Sequence, residues 1–258
     1  MNRDRAGLLA RILATKEAEL AGLRALKLPA APTPRPVSLE RENGRLKLIT
    51  EIKFRSPSAG PLSTKLSVAE RAQAYQRAGA DMVSVLCDAS FFDGAFAHLA
   101  AAREACALPL LCKEFVIDEC QLDAAAAFGA DAVLLIVRCL TPERLAVLTK
   151  ETRARNLTPF VEVATELEAQ IALDAGATLV GVNARDLDTL AMDAARTARV
   201  LDSLPRGVVG VHLSGIAISD DVRRVASSSA DAALIGETLM RQEQPEELLR
   251  ALSQAAGA

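Results

Sequence analysis

The chain has 258 residues, of which half are hydrophobic but only 3% are aromatic, with no Trp, one Tyr and seven Phe. Its net charge of −3 argues against nucleic-acid binding, which needs a basic surface and usually stacking aromatics. No apolar run reaches the roughly 18 residues of a membrane span, and the charged N-terminus lacks the apolar region of a secretory signal. Five cysteines without metal-ligand spacing and only two histidines favour free thiols in the cytoplasm over a metal site.

Residues 1–47 are predicted to form an N-terminal helical extension. Leucine and isoleucine recur at helical spacing, which predicts an amphipathic helix over Arg5–Leu26. A proline-rich stretch, Leu28–Pro36, follows as an extended connector. The helix is expected either to pack over one end of the remaining domain or to cap its active-site mouth. The apolar residues of the helix are Leu8, Leu9, Ile12, Leu13, Leu20 and Leu23.

Eight short apolar runs follow, separated by segments rich in Ala, Leu, Glu and Arg that predict helices, for example Pro142–Arg155 and Glu166–Ala175. Most of the runs are continuous rather than alternating, which is typical of strands buried on both faces of a parallel sheet. The predicted strands are Leu48–Lys53, Met82–Leu86, Pro109–Lys113, Ala132–Val137, Pro159–Val163, Leu179–Asn183, Val208–His212 and Ala232–Gly236.

A short sequence motif recurs four times, at spacings of 50, 47 and 53 residues. The copies are Ala78–Val83, Phe128–Val133, Ala175–Val180 and Ser228–Ala233. Its glycine, present in the first three copies, is the residue expected to end a helix in the left-handed conformation. A period of about 50 residues suits two strand–helix units, so four copies predict eight strands. We therefore predict that residues 48–258 form a single (βα)8 TIM barrel of the α/β class, whose usual size is about 250 residues.

Polar residues interrupt the apolar runs at the carboxyl ends of several predicted strands, where barrels of this class carry their chemistry. One such residue alone is more often a solvated strand end. Together they predict a cluster, because Lys and Glu are rarely buried without a partner or a function. Clustered groups shift one another's pKa, as general acid–base catalysis requires. These residues are Glu51, Lys53, Lys113, Glu162, Asn183 and Arg185.

Two further signals point to a substrate. Ser214-Gly215 and Gly236-Glu237 follow the seventh and eighth strands, where such barrels bind phosphate through backbone N–H groups. Four of the seven phenylalanines lie in loops on the same side, which indicates either loop packing or an aromatic wall for a planar substrate. These are Phe54, Phe91, Phe92 and Phe115.

The run from Glu51 to Ser58, read as Glu-Ile-Lys-Phe-Arg-Ser-Pro-Ser, resembles the N-terminal signature of the indole-3-glycerol phosphate synthase family. The likeness extends along the whole chain in order and spacing. Its further motifs are Ser84–Leu86, Phe91–Gly94, Lys113–Asp118, Val161–Val163, Asn183–Leu187, Ser214–Ile216 and Ile235–Met240.

The resemblance implies a lyase of tryptophan biosynthesis that closes the indole ring of 1-(2-carboxyphenylamino)-1-deoxyribulose 5-phosphate, releasing CO2 and water without a metal or organic cofactor. Lys113 would be the general acid, while Lys53, Glu51 and Glu162 would share the dehydration and the orientation of the lysines. Asn183 would hold a substrate hydroxyl, and Phe92 and Phe115 would flank the anthranilate ring. Ser56, Arg185, Leu187 and Ser214 would also contact the substrate, and Gly215, Gly236 and Glu237 would hold its phosphate.

One residue departs from the family pattern, which usually has Glu where this chain has Leu213. Three explanations stay open: a weakened enzyme, a paralogue with another substrate, or compensation by His212. The last is the least favoured, because neighbours on a strand point to opposite faces.

Two other functions are weighed, a Schiff-base aldolase using Lys53 or Lys113 and a degenerate barrel kept for binding. No nucleic-acid or membrane partner is expected. We expect a monomer that binds a small phosphorylated substrate, with transient docking of a pathway partner left open.

Overall fold

The computed structural model describes residues 7–257, and eight parallel strands in it close into a barrel. The order around the barrel follows the chain, with the last strand paired to the first. This confirms the predicted fold and each predicted strand to within one or two residues. The barrel strands are β1 (Lys47–Ile52), β4 (Met82–Leu86), β5 (Leu110–Lys113), β6 (Ala132–Ile136), β7 (Thr158–Val163), β8 (Leu179–Asn183), β9 (Val209–Leu213) and β10 (Ala232–Ile235). A small hairpin, β2 (Arg55–Ser56) with β3 (Gly60–Pro61), follows the first strand.

Helices alternate with the strands, and none of those described between residues 7 and 257 is long and apolar enough to cross a membrane. Two of the helices for which bounds were predicted, α6 and α7, end one residue earlier than expected. The helices are α1 (Leu8–Ala25), α2 (Val68–Arg77), α3 (Ala89–Phe92), α4 (Phe96–Ala105), α5 (Glu119–Ala127), α6 (Pro142–Ala154), α7 (Glu166–Asp174), α8 (Ala194–Ser203), α9 (Ser219–Ala226), α10 (Glu237–Met240) and α11 (Pro245–Gly257).

The recurring sequence motif forms the turn that connects a helix to the next strand, at the amino-terminal end of the barrel. Its glycines have φ of 90°, 93° and 84° at Gly79, Gly129 and Gly176, which confirms the left-handed helix ends. In three of the four copies, an aspartate lies two residues after the position of the glycine. This aspartate accepts a backbone N–H from a neighbouring strand. The three pairs are Asp81 with Leu48 (2.8 Å), Asp131 with Leu110 (2.8 Å) and Asp231 with Gly210 (2.9 Å). The repeat therefore satisfies backbone donors at the ends of strands, which would otherwise be left unpaired.

Apolar side chains form two layers on either side of the barrel wall, which is why the strands read as continuous apolar runs. The outer layer lies between strands and helices and includes Val85 and Leu145. The inner layer fills the barrel and includes Ile49, Phe160 and Leu213. This packed interior leaves space for a ligand only beyond its end.

The N-terminal helix α1 lies against the carboxyl-terminal side of the barrel. The predicted start at Arg5 falls outside the described residues, and the helix ends at Ala25, one residue before the predicted end. Leu9 and Ile12 are buried in the inner apolar cluster, and the backbone N–H of Leu9 donates to Asp188 Oδ1 at 3.3 Å. The division of the chain at residues 47 and 48 stays a prediction, although the first barrel strand begins at Lys47.

Candidate active site

A cavity of about 480 Å³ opens at the carboxyl-terminal end of the barrel. Strand ends supply its polar floor, the loops after them supply its walls, and α1 closes one side with Leu8, Leu9 and Ile12. Every site residue predicted from the sequence lines this one cavity. They are Glu51, Lys53, Ser56, Phe92, Lys113, Phe115, Glu162, Asn183, Arg185, Leu187, Ser214, Gly215, Gly236 and Glu237.

Glu51 lies between the two lysines on the cavity floor. Its Oε2 is 3.2 Å from Lys53 Nζ and its Oε1 is 3.5 Å from Lys113 Nζ. Glu51 itself is 2% exposed, so both cations meet a carboxylate that is almost completely removed from water. Three ionisable groups from the carboxyl ends of β1 and β5 are thus held in contact, because Glu51 and Lys53 lie two residues apart on one face of the chain and Lys113 ends β5.

A second group of polar residues crosses β7, β8 and the loop after β9. Asn183 Nδ2 donates to Glu162 Oε1 at 2.9 Å, and Asn183 Oδ1 accepts from Ser214 Oγ at 2.9 Å and from the Arg185 backbone N–H at 3.0 Å. Both ends of the Asn183 amide are therefore fixed. These hydrogen bonds orient Glu162 toward the cavity that the two lysines also line.

The two buried carboxyl groups have opposite pKa shifts. For Glu51, burial alone would raise the pKa, but the ammonium groups of Lys113 and Lys53 outweigh burial and lower it. For Glu162, burial raises the pKa, and the attraction of Lys113 and the Asn183 hydrogen bond offset only part of that rise. Glu51 is thus held as a carboxylate, whereas Glu162 keeps its proton more readily. Two carboxyl groups with separated pKa values are typical of acid–base sites.

The turns after β9 and β10 form another part of the cavity wall. Ser214 and Gly215 have consecutive positive φ of 71° and 78°, which turns the chain sharply after β9. A Cβ at Gly215 would come within 2.5 Å of Met192 Cε, and one at Gly236 within 3.0 Å of Glu51 Oε1. Both turns therefore need small residues, which leave backbone groups open to the cavity.

The aromatic wall is smaller than the sequence alone indicates. Phe92 and Phe115 line the cavity with ring centroids 6.0 Å apart. Phe91 packs on the inner apolar cluster, and Phe54 packs on the outer one, with its ring against His98 at 5.4 Å. For Phe54 and Phe91, loop packing is thus the correct interpretation.

Leu213 does not line the cavity. It is 2% exposed at the end of β9 and belongs to the inner apolar cluster with Phe160. A Cβ at Gly181 would come within 2.4 Å of Phe160 Cε1 and 2.7 Å of Leu213 Cδ1, so glycine at that position makes room for both side chains. His212 points to the opposite face, where its Nε2 lies 3.1 Å from the Ser214 carbonyl oxygen. His212 therefore does not replace a carboxylate in the cavity.

Several lining residues were missed by the sequence reasoning. Leu9 and Ile12 were predicted as part of an apolar helix face, but periodicity could not place that face on the cavity. Arg241 also lines the cavity and pairs with Glu237 at 2.8 Å. Its position four residues after Glu237 is the signal that could have found it, since such pairs share one face of a helix.

In residues 7–257, no group of three or more His, Cys, Asp or Glu side chains is placed to hold a metal ion. All five cysteines are free thiols.

The chain is similar to known proteins over nearly its whole length. The family model described as indole-3-glycerol phosphate synthase matches residues 9–252. Indole-3-glycerol phosphate synthase 2 of Streptomyces coelicolor is 42% identical over 254 residues, covering 95% of this chain and 98% of the relative. Indole-3-glycerol phosphate synthase of an Exiguobacterium species is 39% identical over 245 residues, with 95% of each chain covered.

Among solved structures, the similarities concern the fold. A 3-hexulose-6-phosphate synthase matches with a TM-score of 0.66 at 18% identity, over 81% of this chain and 99% of that one. Thiamine phosphate pyrophosphorylase of Pyrococcus furiosus matches with a TM-score of 0.62 at 18% identity, over 83% and 96% of the two chains.

Proposed function

Because the chain belongs to the indole-3-glycerol phosphate synthase family, we propose that its cavity performs the ring closure for which that family is named. The substrate is 1-(2-carboxyphenylamino)-1-deoxyribulose 5-phosphate, and the products are indole-3-glycerol phosphate, CO2 and water. The observation that carries the proposal is the contact of Glu51 with both Lys53 and Lys113 beside an aromatic wall. These are an acid–base cluster and a planar binding surface in one cavity.

In the first step, the ring carbon that bears the carboxylate attacks the ketone carbon, and CO2 leaves with restoration of the aromatic ring. The ketone oxygen must gain a proton as the new carbon–carbon bond forms. Lys113 is assigned as this acid, since its ammonium group faces the cavity from the end of β5. General acids of this kind contribute about 10²–10⁴-fold to rate.

In the second step, the hydroxyl left by the former ketone takes another proton and departs as water. A proton then leaves the adjacent methylene carbon, which completes the indole double bond. Lys53 is assigned as the acid and Glu51, which its neighbours keep ionised, as the acceptor. The balance is two protons gained and one lost, as a decarboxylation requires. Glu162 and Asn183 are assigned to the substrate hydroxyls, because their mutual hydrogen bond holds them at the cavity edge.

The two ends of the substrate are matched by the two ends of the cavity. Phe92 and Phe115 are assigned to the anthranilate ring, whose flat apolar faces suit phenyl side chains. Gly215, Gly236 and the backbone of Glu237 are assigned to the phosphate, because the turns after these strands are the usual phosphate site of such barrels. Further contacts are assigned to Ser56, Arg185, Leu187 and Ser214.

The Schiff-base alternative would need one of the two lysines to form a covalent bond with a carbonyl carbon. Both lysines instead contact Glu51, within 3.5 Å, in a cluster suited to proton transfer.

A monomer in the cytoplasm is part of the proposal. All of the assigned residues come from one chain, so no second copy is needed to complete the cavity. The five free thiols suit a reducing compartment.

The direct test is turnover by the purified protein. The absorbance of the indole product and the released CO2 are measured together after addition of the anthranilate-ribulose substrate. We expect one CO2 per indole formed. Absence of product would refute the assigned reaction, and borohydride trapping of a lysine adduct would favour the aldolase instead.

A further inference from the structure

Lys16 of helix α1 is buried beside the cavity, although it belongs to the N-terminal extension and not to a barrel strand. It lies on the helix face that carries Leu9 and Ile12, seven and four residues earlier. Only 1% of its surface is exposed. Lysine is almost never buried so completely unless it is paired.

One partner of Lys16 is Asp88, which starts the short helix α3. Lys16 Nζ is 2.7 Å from Asp88 Oδ2, and Asp88 is itself fully buried. The other oxygen, Oδ1, accepts the backbone N–H groups of Phe91 at 2.6 Å and Phe92 at 3.2 Å. Lys16 thus holds the carboxylate that fixes the backbone of Phe92.

The other buried partner is Glu114, which follows Lys113 at the end of β5. Lys16 Nζ lies 3.2 Å from Glu114 Oε1 and 3.3 Å from Oε2. Glu114 Oε1 also accepts the backbone N–H of Phe115 at 2.7 Å. One ammonium group therefore joins the two carboxylates that anchor the two cavity phenylalanines, from elements that are separate in the chain.

The close approach of Asp88 and Glu114 depends on the positive charge of Lys16 between them. Burial and the nearby Asp88 raise the pKa of Glu114 to about 7, although Lys16 acts in the opposite direction. Without the cation, Asp88 and Glu114 would face each other as two buried acids that repel when ionised. The third partner, Glu19, is 2.8 Å away but 41% exposed, so its charge is largely screened by water.

We propose that Lys16 is a positioning residue that sets the spacing of Phe92 and Phe115, and so the fit of the planar half of the substrate. The assignment of that half to these rings rests on the proposed function. Lys16 does not line the cavity, so it acts through Asp88 and Glu114. The ion pairs of Lys16 involve Glu19, Asp88 and Glu114 and not the turns after β9 and β10, so the effect of Lys16 should be confined to the planar half of the substrate.

The test compares two probes that report on the two ends of the cavity. Anthranilate binding is followed by its own fluorescence, which is clean because the chain has no Trp, and inorganic phosphate binding is followed by 31P NMR. Lys16→Met should weaken anthranilate binding roughly three- to tenfold and leave phosphate binding unchanged. It should also lower kcat/KM by up to about 10²-fold, since small misplacements of a reacting group are costly. Unchanged anthranilate affinity, or equal loss of both probes, would overturn the proposal.

Two further variants separate positioning from general damage. Arg24→Met removes another tie of α1 to the barrel, its ion pair with Asp118 at 2.6 Å, and should leave both affinities unchanged. Lys16→Met combined with Glu114→Gln removes one cation and one acid while keeping an acceptor for Phe115. This double variant should recover most of any lost thermal stability but not the anthranilate affinity. Recovery of both would show that Lys16 only stabilises the fold.

A readout independent of any ligand keeps the proposal separate from the assigned reaction. With 4-fluorophenylalanine in place of the seven phenylalanines, the 19F resonances of Phe92 and Phe115 should shift or broaden in Lys16→Met but not in Arg24→Met. If the wild-type protein binds neither anthranilate nor substrate, the proposed function fails. The 19F spectra would still test whether Lys16 positions Phe92 and Phe115. Identical spectra for Lys16→Met and the wild-type protein would contradict its positioning role.

Discussion

The two ends of the barrel use acidic side chains in different ways. At the amino-terminal end, Asp81, Asp131 and Asp231 accept backbone N–H groups of neighbouring strands. At the carboxyl-terminal end, the buried carboxyl groups of Glu51 and Glu162 face a cavity and interact with lysine side chains or an amide. The first set bonds to the backbone of the barrel, whereas the second set borders open space.

This difference indicates where stability and activity reside. A carboxylate that accepts from the backbone of a neighbouring strand helps to hold the barrel together, so its loss should damage the fold. A carboxyl group held beside lysines at a cavity is available for proton transfer, and its removal should damage turnover. Barrels of this class show the same division between a stabilising and a reactive end.

The largest effect is expected from removal of the Lys113 ammonium group. Lys113→Met should lower kcat by about 10²–10⁴-fold, because the ketone oxygen would lose its acid. Its thermal midpoint should fall by a few degrees, because the buried carboxylate of Glu51 loses one of its two ammonium partners, so kcat is measured well below the melting range. Steady-state kinetics with a thermal melt measure both. A kcat within about tenfold of the wild-type value would contradict the acid assignment.

At the other end, Asp131→Ala should cost about 3 kcal/mol of unfolding free energy. Asp131 accepts from the Leu110 and Arg35 backbones and pairs with Arg103, so three donors would be left without it. Urea denaturation measures the loss, and kcat of the folded protein should stay within about twofold of wild type. Asp131→Asn is the control and should lose less unfolding free energy than Asp131→Ala.

Leu213→Glu tests whether the departure from the family pattern is a simple loss. A carboxylate would enter the apolar layer that Leu213 shares with Phe160, where its charge would lose its hydration. We expect a loss on the order of 2 kcal/mol in stability and no gain in kcat/KM. Leu213→Gln is the control that separates the effect of side-chain size from the effect of the charge. A clear rise in kcat/KM for the Glu variant would show a weakened enzyme restored.

The smallest effect concerns stability and pH at Glu162. Folding raises the pKa of this buried group, so the folded protein holds its proton more tightly than the unfolded chain does. The stability linked to this proton is present at low pH and is lost as pH rises through the raised pKa. Glu162→Gln has no such loss. Its melting temperature should therefore increase relative to that of the wild-type protein as pH rises from 4 toward 8. A few degrees are expected at most, and a difference independent of pH would contradict the shift.

The barrel was predictable because its signals are local and repeated. Near-continuous apolar runs such as Met82–Leu86 are typical of strands buried on both faces of a parallel sheet, and glycines at helix ends mark where three of the eight runs begin. Strand-end positions then placed Lys53, Lys113 and Glu162 in one cavity before any contact was known.

The N-terminal helix was harder to predict, because its contacts lie far away in the chain. Periodicity found the apolar face with Leu9 and Ile12, but Lys16 on the same face reads as a solvated charge. Its partners, Asp88 and Glu114, are 72 and 98 residues further along. Likewise, no pattern in the sequence shows that Gly181 makes room for Leu213 on the adjacent strand.

The most direct test of the contrast between the two ends is kcat and unfolding free energy measured side by side for Glu162→Gln and Asp131→Ala. The division of labour predicts that Glu162→Gln loses turnover without losing stability at pH 7, and that Asp131→Ala loses stability without losing turnover. If both variants lost turnover and stability together, the separation of a reactive end from a stabilising end would be wrong.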